Sequence, residues 1–87
     1  MKVFNWDINK NEFLKKKRGV SFEQAVEAIS RGDILDITLN MSKNHPDQWC
    51  YVLLLKGYPH LVPFAENEKE RFLKTIIPSR KHKKKER

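Results

Sequence analysis

Cysteine is nearly absent from this chain of 87 residues, which carries only Cys50. One cysteine excludes an internal disulfide framework and a cysteine-based zinc site. Cys50 sits in the apolar run 49–55, where the thiol reads as a small buried hydrophobe rather than a nucleophile. Long apolar runs are missing too. None approaches the ~18 residues of a membrane span, and no apolar stretch of a signal peptide opens the chain. These absences predict a cytoplasmic protein with no membrane association. No His-x-x-x-His pair or paired-carboxylate signature is present, so neither a metal nor another cofactor is expected.

Acidic residues are also scarce. Eleven carboxylates face 18 lysines and arginines, giving a net charge of +7 and a pI near 9.7. Such a balance points to nucleic acid or to an acidic partner, with plain solubility as the alternative. Most of the excess lies at the end of the chain. Arg80, Lys81, Lys83, Lys84, Lys85 and Arg87 against Glu86 give residues 80–87 a net +5. The hydrophobic fraction of 39% is enough for a folded core in residues 1–79. That length allows a single small domain, marginal alone and open to stabilisation by a partner.

The order of elements follows from local signals. Residues 3–6 (V-F-N-W) read as a first strand. Asp7 is suited to cap a helix on which Asn11 and Leu14 lie one turn apart. That helix ends in Lys15, Lys16, Lys17 and Arg18, cations where a helix C-terminus favours them, with Gly19 as its stop. Ser21 and Gln24 form a capping box for a second helix closed by Gly32. Its Phe22, Ala25, Val26 and Ile29 fall at i, i+3, i+4 and i+7, and this periodicity makes Phe22 a core residue, as Trp6 is before it.

From residue 33 the period changes. Residues 34–39 read as a strand with apolar residues on both faces, 40–47 as a turn-rich loop, and 49–56 as a β-rich run. Gly57 with Tyr58 and Pro59 marks a tight connection. Residues 60–65 form the next strand, in which Pro63 predicts an edge or a bulge. Residues 66–69 turn the chain into a final strand carrying Phe72, Leu73, Thr75, Ile76 and Ile77, which Pro78 ends. Ser79 can cap a short helix from Arg80, so residues 80–87 are a basic tail or a short helix. The β-α-α-β-β-β-β order predicts an α+β fold, an antiparallel sheet with two N-terminal helices on one face.

The opening block F-N-W-D-I-N-K-N-E-F-L-K-K-K-R-G-V-S-F-E-Q-A resembles the start of the BrnT-type toxin family, whose members carry R/H-G-V-S-F-E-E-A after a lysine. The closing I-I-P-S-R-K is similar to that family's I-I-S-A-R block ahead of a basic tail. The resemblance spans nearly the whole chain. It implies a RelE-like fold, an endoribonuclease activity on mRNA, and a ribbon-helix-helix antitoxin of the BrnA kind through which alone DNA would be contacted. The middle strands depart from the family's G-R-x-x-x-V/L-V-x-x-T-x-R pattern. Here they carry Lys56 and His60 without the threonine–arginine pair, so either Arg71 takes over that arginine's role or the activity is weakened or lost.

Metal-independent RNA cleavage needs a base for the ribose 2′-OH, a cation for the charge growing on phosphate, and an acid for the leaving 5′-oxygen. Arg80 is the first candidate for phosphate, because it matches the family's closing arginine and a guanidinium grips phosphate through two donors. Arg71 and Lys74 are further cations, three apart on a strand and so directed to opposite faces. His60 can act as acid or base near neutral pH, although beside a turn it can equally be an exposed histidine without a role. Lys56 completes the catalytic candidates. Lys74, Arg80, Lys81, Lys83, Lys84 and Lys85 are the candidates for RNA binding.

Glu66 and Glu70 can orient a cation or take a proton, or be simple solubilising charges. Tyr58 and Trp49 can stack on a base or pack at an edge. His45 and His82 are given no role. The run 49–55 is apolar at nearly every position and wants cover on both faces, from the terminal segment, RNA, a net-acidic antitoxin or a second copy. A non-catalytic RNA-binding or co-repressor subunit of the same fold is the alternative function.

Overall fold

A computed structural model describes residues 2–39 and 49–79. The elements in chain order are β1 (Val3–Trp6), α1 (Ile8–Arg18), α2 (Phe22–Arg31), β2 (Ile34–Leu39), β3 (Trp49–Leu55), β4 (Tyr58–Glu66), β5 (Glu70–Leu73) and β6 (Ile77–Pro78). The expected loop at 40–47 and the tail or helix at 80–87 lie outside the described residues.

Both helices begin and end where local chemistry predicts. The Asp7 carboxylate accepts from the N–H groups of Asn9 and Lys10, and α1 stops at Gly19 with φ 68°. For α2, Ser21 Oγ accepts from Gln24 N–H at 3.2 Å while Gln24 Oε1 accepts from Ser21 N–H at 3.0 Å. Buried Asn11 adds a second cap from α1: its Oδ1 accepts from Phe22 N–H at 2.8 Å and its Nδ2 donates to Glu23 at 2.8 Å. Two orphan donors of the first turn of α2, the N–H groups of Phe22 and Gln24, are thus met from two sides. Phe22, Ala25 and Ala28 are buried, with Val26 and Ile29 packed against them.

The sheet runs β1-β5-β4-β3-β2, with β6 beside β4. From β2 to β5 it is the expected antiparallel meander. β1 differs, pairing parallel with β5 from Val3 opposite Glu70 to Trp6 opposite Leu73, so the sheet is mixed rather than antiparallel. The reason is non-local: β1 and β5 are separated by the rest of the domain, and a long connection leaves either direction open.

The final strand is also interrupted, with Lys74, Thr75 and Ile76 between β5 and β6. Pro63 explains the break. Its carbonyl accepts from Lys74 N–H at 2.8 Å, so its missing N–H points to the same side, towards residues 74–76. There the step from Leu61 to Phe64 on β4 faces the longer step from Leu73 to Ile77. This one-residue excess is a bulge, one of the two settings the proline predicts, and it lies inside the sheet. The β3–β4 hairpin turns at Lys56 and Gly57, with φ 55° and 74°, the signature of a type I′ turn. Tyr58 and Pro59 are therefore already in β4 rather than in the connection.

The helices cover the sheet face that carries Tyr51, Leu53, Leu55, Val62, Phe64 and Leu73, which share one core with Leu14, Phe22, Ala25, Ala28 and Ile76. Trp6 stacks on Phe22 at 5.8 Å between ring centroids. Val52 and Cys50 alternate to the opposite face and are also buried, in keeping with a strand apolar on both sides.

Candidate functional site

Strand register creates one cleft at the edge of this core. Ile37 stands opposite Tyr51, Trp49 opposite Phe64, and Glu66 opposite Arg71, so four strands direct these six side chains to a single face. They line a cleft of about 230 Å³. The turn that brings Arg71 back against Glu66 is fixed by Asn67, whose Oδ1 accepts from the N–H groups of Lys69 and Glu70 at 2.8 and 2.9 Å. A larger hollow of about 400 Å³ is lined by residues 67–70 of that turn alone and gathers no comparable set of groups.

Arg71 is the centre of the cleft. Its Nε donates to Glu66 Oε1 at 2.7 Å, its Nη1 donates to the Tyr51 hydroxyl, and its guanidinium lies 5.6 Å from the Phe64 ring centroid. Phe64 stacks in turn on Tyr51 at 4.6 Å. Lys2 holds the second oxygen of Glu66 at 3.0 Å. Partial desolvation works against the charge on Arg71, but the hydrogen bond to Glu66 and the attraction of Tyr51 and Glu66 outweigh it, so its pKa lies above its ordinary value. Bonding to Lys2 and then to Arg71 holds the Glu66 carboxyl below its ordinary range. At neutral pH the pair is ionised. A guanidinium has five N–H donors, so those not bonded to Glu66 and Tyr51 remain for an anion.

The sequence candidates do not all gather here. Arg71 lines the cleft. Lys74 follows β5 on the opposite face, its ammonium 5.4 Å from the Phe72 ring centroid. His60 is buried at 8% exposure, contrary to the expected open position beside a turn, because β4 begins at Tyr58 and places it within the strand. Its Nδ1 lies 2.8 Å from the Tyr58 carbonyl. Six residues along β4 separate it from Glu66, about 20 Å at strand rise. Lys56 occupies the hairpin at that same far end. Glu70 accepts from Asn5 Nδ2 at 2.6 Å, and Tyr58 is half-buried beside the His60 ring. Arg80, Lys81, Lys83, Lys84 and Lys85 lie outside the described residues, as do His45 and His82.

Trp49 is 44% exposed at the rim of the cleft, available for stacking. Ile37, Tyr51, Phe64 and Lys2 are the members that sequence reasoning missed. One clue was present: Tyr51 carries a lone hydroxyl within an apolar strand, two residues from a tryptophan. Burial pushes the Cys50 thiol up, in keeping with an inert packing role. Among the described residues no three His, Cys, Asp or Glu side chains come together as a metal site, and no helix is long and apolar enough to cross a membrane. Comparison with known proteins finds no matching family model, curated protein or solved structure.

Proposed function

We propose that this protein is a toxin-type endoribonuclease of RelE-like fold that cleaves mRNA without a metal, acting in the cytoplasm and held in check by a ribbon-helix-helix antitoxin. The observation that carries the reading is Arg71, fixed between Glu66 and Tyr51 in a cleft with an exposed Trp49 at its rim. The chain's net +7 and the resemblance of its two ends to BrnT-type toxins support it.

In this reading the free donors of Arg71 take the scissile phosphate and Trp49 stacks a neighbouring base. Glu66 accepts the proton of the ribose 2′-OH, and the 2′-oxygen bonds to phosphorus. The P–O5′ bond breaks, the 5′-oxygen takes a proton from water, and a 2′,3′-cyclic phosphate remains. Ser79, the last described residue, donates its N–H to the Pro59 carbonyl at 3.0 Å, at the far end of β4, so the grip on the scissile phosphate rests on Arg71. Exposed Leu35, Ile37 and Trp49 are the apolar surface on which an antitoxin segment fits.

One observation favours the alternative of a non-catalytic RNA-binding or co-repressor subunit. His60 and Lys56 stand at the far end of β4 from Arg71, which leaves Glu66, already held by two cations, as the base. Induced expression in a bacterial host separates the two. Growth arrest with RNA loss, relieved by Arg71→Ala, supports the nuclease; normal growth with soluble folded protein and intact RNA supports the binding subunit.

A further inference from the structure

We infer that the exposed face of α1, together with the β3–β4 turn, is a second nucleic-acid surface that takes single-stranded RNA through Lys16, Lys17, Lys56 and Phe13. Four of the other described cations are held in ion pairs, while Lys69 and Lys74 are exposed without one among the described residues and lie apart from α1 on the β4–β5 side. Lys2 and Arg71 pair with Glu66, Arg31 pairs with Glu27 and Asp33, and Lys15 pairs with Glu12. Lys16, Lys17 and Lys56 are exposed and make no ion pair among the described residues. They share one corner of the molecule: a Cβ on Gly19, directly after α1, would lie 3.1 Å from Lys56 Nζ. Arg18 adds its charge beside them, its Nη1 donating to the Ile76 carbonyl at 2.6 Å.

A helix C-terminus favours cations, yet mutually repelling ammonium groups with no interspersed carboxylate exceed what that end requires. A row of phosphates relieves the repulsion. Phe13 selects the kind of polyanion. It is 47% exposed, one turn before Lys16 and Lys17, while Asn11 and Leu14 take the buried face of α1. Lys10 lies 5.5 Å from the Phe13 ring centroid. An exposed ring set among cations is the pairing that single strands use, base on aromatic and phosphate on lysine. An acidic peptide or a duplex has no use for the ring, and one phenylalanine is too little apolar area to seat a helix in a membrane surface. The surface lies at the His60 end of β4, remote from Arg71, and its existence does not depend on the cleavage reading.

The test is fluorescence anisotropy with a labelled 2′-O-methyl RNA 12-mer, which the 2′-OH chemistry cannot cut, on full-length variants that all keep the basic tail. Lys16→Gln with Lys17→Gln should weaken binding about tenfold and shrink the slope of log K against log salt by about 1.4, at about 0.7 per phosphate lost. Phe13→Ala should weaken the single strand about fivefold or more and leave a duplex of the same sequence unaffected. These positions are exposed, so thermal midpoints should match the parent. The same losses should recur in an Arg71→Ala background, which keeps this result separate from that of the cleft. Unchanged affinity and slope in the lysine variant would overturn the inference. So would an equal Phe13→Ala effect on single strand and duplex, no Phe13→Ala effect, or poly-glutamate or anionic vesicles bound as tightly through the same lysines.

Discussion

Arg71, proposed to grip phosphate, also makes a structural contact that can be measured by itself. Tyr51 is 1% exposed, and its hydroxyl is paired with Arg71. Arg71→Ala leaves that hydroxyl without its partner, at about 1–3 kcal/mol. Tyr51→Phe in the same chain should then recover most of the loss in urea unfolding, because the pair is coupled; strictly additive losses would contradict the bond. Glu66 makes the second residue-scale prediction. Its folded pKa lies below its ordinary 4.5, so its contribution is full above that value and is lost as pH falls through the folded pKa. The stability difference between the parent and Glu66→Gln should therefore be present at neutral pH and vanish on acidification below 4.5. A difference that persists in acid would show that Glu66 acts by packing.

Among the elements, α2 depends most on another helix. Asn11 is 3% exposed and satisfies Phe22 N–H as well as Glu23. Asn11→Ala should cost about 1–3 kcal/mol, more than the ~1 kcal/mol of Ser21→Ala, because it leaves a buried N–H unmet. Equal midpoints for parent and Asn11→Ala in urea would contradict that role. The caps of both helices were legible in the sequence because Asp7, Ser21, Gln24 and Gly19 act on their immediate neighbours. Asn11 was legible only as a residue facing inward, since its partner lies on a different helix. The β4–β5 region was half legible. Pro63 announced an irregularity, but that the irregularity breaks the neighbouring strand depends on which side its absent N–H faces.

At the scale of the molecule, the α+β class and the meander followed from periodicity and turns, while the direction of β1 did not. Nothing in V-F-N-W distinguishes a parallel from an antiparallel neighbour. The cleft was hidden for the same reason: Trp49, Tyr51, Phe64 and Arg71 become one site only through the register of three strands. Arg71 was visible as a cation, and the split between it and His60 was not, because strand length separates the two. The most direct test of the proposed activity uses purified protein and a defined single-stranded RNA in EDTA, with the product ends analysed by mass spectrometry. Fragments ending in 2′,3′-cyclic phosphate are expected, abolished by Arg71→Ala and reduced by Glu66→Gln while both variants stay folded. RNA left intact by the parent protein, or cut equally by Arg71→Ala, would contradict the proposed activity.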